Sequence, residues 1–146
     1  MTAPPDDETR RAQHLACLRS FFAALGRQDL DEAGRFCQPD FRMELPYSDP
    51  PAQVAGFTHY AAYVAAAFET FRFELQIEAV HDCVDPDLLI VEYTSSGQAL
   101  PTGNPYANRY VGFWRFADGL IQAGREYYNP DAAREALASE PEDLPR

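Results

Sequence analysis

Hydrophobic positions in the first half of the chain recur at helical spacing. Leu15, Leu18, Phe22 and Leu25 step by three and four, so they share one face of a helix that Gly26 ends. Asp29-Leu30-Asp31-Glu32 has the form of a capping box with Asp in place of Ser or Thr, and it opens a short second helix through Phe36. Pro39 blocks continuation, and Asp40 to Leu45 alternates as a strand does. Thr58 is placed to cap a third helix with Tyr60, Val64 and Phe68 on one side. From residue 71 the period changes to two: Phe71, Phe73, Leu75, Ile77 and Ala79 alternate with Arg72, Glu74, Gln76 and Glu78. Asp85-Pro86-Asp87 marks a turn, and further strands are predicted over Leu88–Gln98, Asn108–Ala117 and Leu120–Tyr128. Asp118-Gly119 is the tight turn of the last hairpin, and Asn129-Pro130 ends the sheet. Three helices followed by an antiparallel meander predict an α+β domain, in which the helices wrap a strongly curved sheet into a cone around a pocket. The domain is expected over residues 9–138, with 1–8 and 139–146, rich in proline and acid, as disordered tails.

The hairpin turn fixes which side chains share a face. Pairing Ala117 with Leu120 and counting outward sets Phe113 opposite Gly124, Val111 opposite Glu126, and Arg109 opposite Tyr128. One face then carries Arg109, Val111, Phe113, Gly124, Glu126 and Tyr128. The other carries Tyr110, Gly112, Trp114, Phe116, Arg125 and Tyr127. Both are apolar enough to need covering. One covers the internal core and pocket. The other meets a second copy of the chain, or else a C-terminal segment folded back over it. In this register Glu126 sits among Val111, Phe113 and Gly124. Apolar surroundings disfavour a carboxylate and raise its pKa, which suits a general acid or base near neutral pH. The alternatives are an ion pair with Arg109 or Arg125, or a place at a solvated rim. Tyr93, alternating with Val91, points to the same pocket and could donate a hydrogen bond to a substrate carbonyl.

Charge and composition restrict the partners. Acidic residues outnumber basic ones by 23 to 12, and a net charge of -11 repels nucleic-acid phosphates and anionic membrane surfaces alike. No apolar run reaches the length of a membrane span, and the first residues lack the pattern of a signal peptide. Three cysteines, Cys17, Cys37 and Cys83, form no even framework, which predicts reduced thiols in a cytoplasmic protein. His14, His59 and His81 share no metal-ligand spacing with them. Ser95-Ser96-Gly97 lacks the pattern of a nucleophile elbow.

Several stretches carry a family likeness: Val91-Glu92-Tyr93-Thr94-Ser95-Ser96-Gly97, Asn108-Arg109-Tyr110, Phe116-Ala117-Asp118-Gly119 and Arg125-Glu126-Tyr127-Tyr128-Asn129-Pro130. Together they resemble the SnoaL-like branch of the nuclear-transport-factor-like superfamily, with a spacing similar to that of the phenazine-biosynthesis A/B proteins. The resemblance implies a cone-shaped, cystatin-like α+β barrel, a homodimer, and no metal or organic cofactor. Members include polyketide cyclases, steroid isomerases and epoxide hydrolases. In the phenazine proteins the Glu of the matching stretch is a pocket acid/base, a role that falls on Glu126; His59 and Tyr63 are nearest to their helical His and Ser. The base of the ketosteroid isomerases falls on Leu45 and their protonated Asp on Val111, so that machinery is missing. The Asp-Arg-Asp set of the epoxide hydrolases is not matched either.

The expectation is therefore a cofactor-independent enzyme of cyclase or isomerase type acting on a small apolar carbonyl compound. Glu126 shuttles the proton, with Tyr93 and His59 as its catalytic partners. Leu45, Tyr63, Val91, Arg109, Val111, Phe113, Gly124 and Tyr128 bind the substrate. The alternative is a binding or accessory protein with the same pocket and no chemistry.

Overall fold

The computed structural model describes residues 5–138. The chain runs α1 (Asp7–Gly26), α2 (Leu30–Gly34), β1 (Cys37–Leu45), β2 (Ala52–Ala55), α3 (Phe57–Thr70), β3 (Phe71–Asp82), β4 (Leu88–Ala99), β5 (Pro105–Ala117), β6 (Leu120–Tyr128) and α4 (Pro130–Leu137). α1 begins inside the stretch read as a tail: Asp6 caps it, accepting a hydrogen bond of 2.8 Å from the Thr9 amide, and Asp7 and Glu8 complement the helix dipole. Residues 1–4 and the tail expected over 139–146 lie outside the described residues. α2 opens on Asp29, which accepts from the Glu32 amide at 3.1 Å. α3 follows Gly56 and has no side-chain cap, so Thr58 does not play that part. Asn129-Pro130 does more than end the sheet. Asn129 accepts from the Asp131 amide and Pro130 opens the first turn of α4, an arrangement suited to a helix start.

The six strands form one curved, unclosed sheet in the order β2-β1-β6-β5-β4-β3. The sheet is mixed, unlike the antiparallel meander expected. β1 runs parallel to β6, and every other neighbouring pair is antiparallel. The meander β3-β4-β5-β6 leaves one edge of β6 with unpaired amides and carbonyls, and β1 satisfies them. β2 is a four-residue edge strand, too short to show a period in the sequence.

α1 and α3 cover the inner face. Leu18, Phe21 and Phe22 of α1 are buried against Phe41, Met43, Tyr93, Trp114 and Ile121 of the sheet. Phe21 and Phe22 meet the Trp114 ring edge-on, with centroids 6.0 and 5.6 Å away.

The last hairpin turns at Asp118 and Gly119, with φ of 52° and 78°, as that turn requires. Ala117 pairs with Leu120 and Phe116 with Ile121, but Arg115 then pairs with Ala123. The extra residue, Gln122, is a β-bulge, and it moves the register by one. Gly112 opposes Glu126, Tyr110 opposes Tyr128, Val111 opposes Tyr127, and Phe113 opposes Arg125. The inner face of the hairpin is thus Tyr110, Gly112, Trp114 and Phe116 with Ile121, Gly124, Glu126 and Tyr128. Arg109, Val111 and Phe113 belong to the outer face, which corrects the unbulged count. There the Arg125 guanidinium lies over the Phe113 ring at 4.7 Å and near Tyr127 at 5.8 Å.

At the other edge of the sheet β3 and β4 approach closely at Gly97. A Cβ there would stand 1.8 Å from the Arg72 carbonyl oxygen and 2.6 Å from the Phe73 Cα. This contact holds Phe71 and Phe73 over the interior of the cone. Replacing Gly97 with Ala forces the two strands apart and should cost roughly 3 kcal/mol, the upper end for overpacking. Urea unfolding checks this, and an unchanged midpoint would contradict the close approach.

Candidate functional site

Inside the cone, between α3, α4 and the inner face of the sheet, lies a cavity of about 250 Å³. Half of its sixteen lining residues are aromatic, and Glu126 is the one charged group among them, so any ionic chemistry in the cavity belongs to Glu126. A larger groove, about 510 Å³, lies on the outer face, floored by Phe113 and edged by Arg42, Arg115 and Arg125. Those arginines are exposed, whereas the smaller cavity encloses a buried carboxyl, so the smaller cavity is the candidate site.

The geometry around Glu126 starts from a glycine. Gly112 stands opposite it across β5 and β6. A Cβ at Gly112 would come within 2.3 Å of the Trp114 indole nitrogen and 2.7 Å of the Tyr93 hydroxyl. The missing side chain is the space through which Tyr93, from β4, reaches across β5 and donates its hydroxyl proton to Glu126 Oε2. Tyr93 is fully buried, stacked on Tyr110 at 4.9 Å and packed on Phe22 at 4.7 Å, so its hydroxyl has little freedom to point elsewhere. Gly124 serves the same packing, since a Cβ there would stand 2.6 Å from the Trp114 ring and 2.8 Å from Met43 Sδ. The Trp114 indole N–H itself is buried with no partner among the described residues.

Among the described residues Glu126 forms no salt bridge. Burial pushes its carboxyl up from 4.5 to about 7, against the smaller, opposing effect of the Tyr93 hydrogen bond. Burial, and then the Glu126 charge, raise Tyr60 and Tyr93 well above the ordinary phenol value, and Tyr128 is pushed up to about 12. All three hydroxyls are therefore neutral donors wherever Glu126 titrates.

A second network holds the wall. The Asn108 side-chain amide donates to the Asn129 carbonyl (2.9 Å) and to the Tyr106 hydroxyl (3.1 Å) and accepts from the Asn129 amide (3.2 Å). Tyr110 donates to Ser95 Oγ at 2.8 Å, and the Tyr106 and Tyr110 hydroxyls are 3.2 Å apart. These bonds tie the end of β6 and the start of α4 to β5 and fix two tyrosines on the cavity. Thr102 and Asn104 bond the Ala136 carbonyl, at 2.6 and 3.1 Å, and so hold α4 down, where Ala133 closes one end of the cavity. α4 thus folds onto the inner side, and among the described residues no helix covers the outer face.

Of the residues predicted for the site, Glu126, Leu45, Tyr63 and Tyr128 line the cavity, and Tyr93 reaches it through Glu126. Val91 is buried in the core and Gly124 lies under Trp114, both away from the cavity wall. His59 is exposed on α3, with Nδ1 bonded to the Ala55 carbonyl at 3.0 Å, so it stands outside. Arg109, Val111 and Phe113 are carried outward by the bulge. The sequence reading missed Tyr60, Phe68, Phe71, Phe73, Tyr106 and Tyr110 as cavity walls. The periodicity marked the first four only as buried-face positions. Tyr106 precedes the start predicted for its strand, and Tyr110 falls on the opposite face when the bulge is not counted.

Residues 18–124 match the profile of the SnoaL-like domain. An uncharacterized PhzA/B-like protein of Pseudomonas aeruginosa is 29% identical over 101 residues, which is 68% of this chain and 72% of the relative. Among solved structures, a Bacillus subtilis protein proposed to be an isomerase superposes with a TM-score of 0.81 at 23% identity, over 88% of this chain and 94% of its own. A phenazine biosynthesis-related protein of Pseudomonas aeruginosa gives 0.76 at 22% identity, over 99% and 96%. At these identities the structural likenesses establish the fold.

The raised carboxyl has a consequence for stability. Glu126 holds its proton more tightly folded, at about 7, than unfolded, at 4.5. Its favourable contribution is complete below the unfolded value and is lost as pH rises through the folded one, a swing of about 3 kcal/mol. In Glu126→Gln the amide oxygen still accepts from Tyr93 and nothing ionises. The variant should gain up to about 3 kcal/mol over the parent between pH 5 and pH 8 in urea unfolding. Parallel pH profiles would contradict the buried, unpaired carboxyl.

Proposed function

Because the chain belongs to the SnoaL-like domain family, we propose that it is a cofactor-independent enzyme of cyclase or isomerase type that moves a proton beside the carbonyl of a small, apolar substrate. One observation carries this reading: a carboxyl that burial pushes up to about 7 stands at an aromatic cavity with no other charge among the described residues. A general base is most effective when its pKa lies near the working pH. As the anion, Glu126 takes a proton from the carbon next to the carbonyl. The enolate oxygen then needs a donor, and Tyr60 and Tyr128 border the same cavity with neutral hydroxyls. The protonated Glu126 returns the proton at another carbon, or a neighbouring electrophile captures the enolate and closes a ring. Leu45 and Phe68 supply apolar contact for the carbon skeleton. Imine chemistry on a side-chain amine is closed to this protein, since its sequence contains no lysine.

The names of the relatives suit the same pocket used in two ways, isomerisation and phenazine biosynthesis. A pocket that only gathers two reactive partners also speeds their condensation. Rate and affinity separate these readings, because mere gathering leaves the reaction insensitive to the charge of Glu126.

We also place the uncovered outer face against a second copy of the chain. Val111 is 37% exposed and Tyr47 57% exposed there. Arg42 and Arg125 on β1 and β6 are opposite in charge to Glu74 and Glu78 on β3, and a twofold axis between two copies brings the two sets together. The three free cysteines suit a reducing compartment, the cytoplasm.

Exchange of the α-hydrogens of a small ketone with heavy water, followed by NMR, tests the chemistry without the natural substrate. Glu126→Ala should lower the rate by about 10²–10⁴-fold. The rate should rise with pH to a plateau above about 7, following ionisation of Glu126. Tyr93→Phe removes the bond that favours the anion and should move the inflection upward. Undiminished exchange in Glu126→Ala ends the proposal. For the dimer, Phe113→Asp should turn a two-subunit sedimentation coefficient into that of one subunit, and an unaltered coefficient would place the interface elsewhere.

A further inference from the structure

We infer that the cavity is also a binding site for small organic ammonium ions, with Glu126 as counter-ion and the tyrosine and phenylalanine rings as a cation-binding cage. The inference concerns the cavity that the proposed reaction uses, but it does not depend on Glu126 transferring a proton.

Three features of the cavity point to a cation. First, the walls are largely aromatic rings. Phe71 lies 4.7 Å from Tyr106, Phe73 lies 6.1 Å from Tyr106 and 5.9 Å from Phe68, and Tyr110 lies 6.0 Å from Tyr128. These rings stand on α3, β3, β5 and β6 and border one space. Aromatic rings from several directions around one cavity are the setting in which quaternary ammonium groups bind, because a ring face turned to a cation attracts it. Second, the cavity holds one carboxyl and nothing to neutralise it. Among the described residues no arginine and no histidine lines it. Third, among the described residues the one donor to that carboxyl, Tyr93, engages a single oxygen, Oε2. A buried anion with a free lone-pair direction and no cation is stabilised most by a ligand that brings the charge with it.

The same features exclude other ligands. A carboxylate or phosphate would meet the Glu126 charge with no arginine or histidine among the described residues to receive it. A methylated ammonium ion donates few hydrogen bonds or none and spreads its charge over carbon, which matches the walls. A cavity of about 250 Å³ admits such a headgroup with a short chain.

The binding is tied to ionisation of Glu126. The titratable groups that face it are Tyr93 from β4, Tyr60 and Tyr63 from α3, Tyr110 from β5 and Tyr128 from β6; β1 presents Met43 and Leu45, and α4 presents Ala133. All five tyrosines ionise above the ordinary phenol value. Between pH 5 and pH 9, then, Glu126 alone among them changes charge.

Choline and its uncharged isostere, dimethylbutanol, in which carbon replaces the quaternary nitrogen, make the test. The full-length protein is titrated with each at pH 5.5 and pH 8.5 by calorimetry. The fluorescence of Trp114, the sole tryptophan, gives a second readout beside Tyr93. At pH 8.5 choline should bind at least about tenfold more tightly than the isostere. That preference should shrink severalfold at pH 5.5 and in Glu126→Gln. Equal affinities for the two probes at pH 8.5, or a choline preference unchanged by pH, overturns the inference. Should Glu126→Gln fail to fold, the pH comparison on the parent protein decides alone. Loss of ketone exchange in Glu126→Ala with equal binding of the two probes would sink this inference and leave the proposed reaction standing. Choline preference without any exchange would do the reverse.

Discussion

A carboxyl group withdrawn from water keeps its charge only beside a cation or several donors, and among the described residues Glu126 has a single donor, the Tyr93 hydroxyl. Much of the interior is arranged around that contact. Tyr93 is held between Phe22 and Tyr110, so its hydroxyl is aimed by packing on both sides of the ring. The path from Tyr93 to Glu126 crosses β5 at Gly112, the one position on that strand where any side chain would close it. Trp114 fills the floor because Gly124 leaves it room. Even the bulge at Gln122 belongs to this arrangement, since it brings Gly112 opposite Glu126. Changing one of these residues alters the carboxyl's surroundings without touching the carboxyl.

One proton-bearing group at one cavity sets what the fold can do here. Leu45 lines the cavity as an apolar wall, so no second carboxylate shares the work. In the proposed reaction the same carboxyl takes the proton and gives it back, which confines the transfer to one face of a bound molecule. The donors around it are phenols held neutral by burial, able to offer a hydrogen bond but no positive charge. On the readings proposed above, such a site favours neutral or cationic guests over anions.

The local elements were legible in the sequence because one side of each is polar. The period of two from Phe71 to Ala79 and the Leu18–Phe22–Leu25 face gave β3 and α1 their orientations correctly. The last hairpin was harder. Both of its faces carry aromatic residues, so adding one residue at Gln122 leaves a pattern as reasonable as before, and nothing in the alternation marks the slip. Glu126 is nonetheless on the inner side, because Gly124, Glu126 and Tyr128 stay together on β6 whatever β5 does. The partners moved instead: Val111 and Phe113 exchanged places with Tyr110, Gly112 and Trp114. The parallel pairing of β1 with β6 joins residues about eighty positions apart and leaves no local trace. α4 escaped notice because its inward residues are Ala132, Ala133 and Ala136, too small to read as a buried stripe.

The central claim concerns the ionisation of one carboxyl, and infrared difference spectroscopy reads it directly. The carboxyl and carboxylate stretches lost in Glu126→Gln are followed from pH 4 to pH 9 in the parent protein. The account predicts that this band pair interconverts with a midpoint near 7, well above the ordinary carboxylate value of 4.5. A midpoint between 4 and 5 would show a solvated or ion-paired Glu126 and would remove the basis for both its chemistry and its cage.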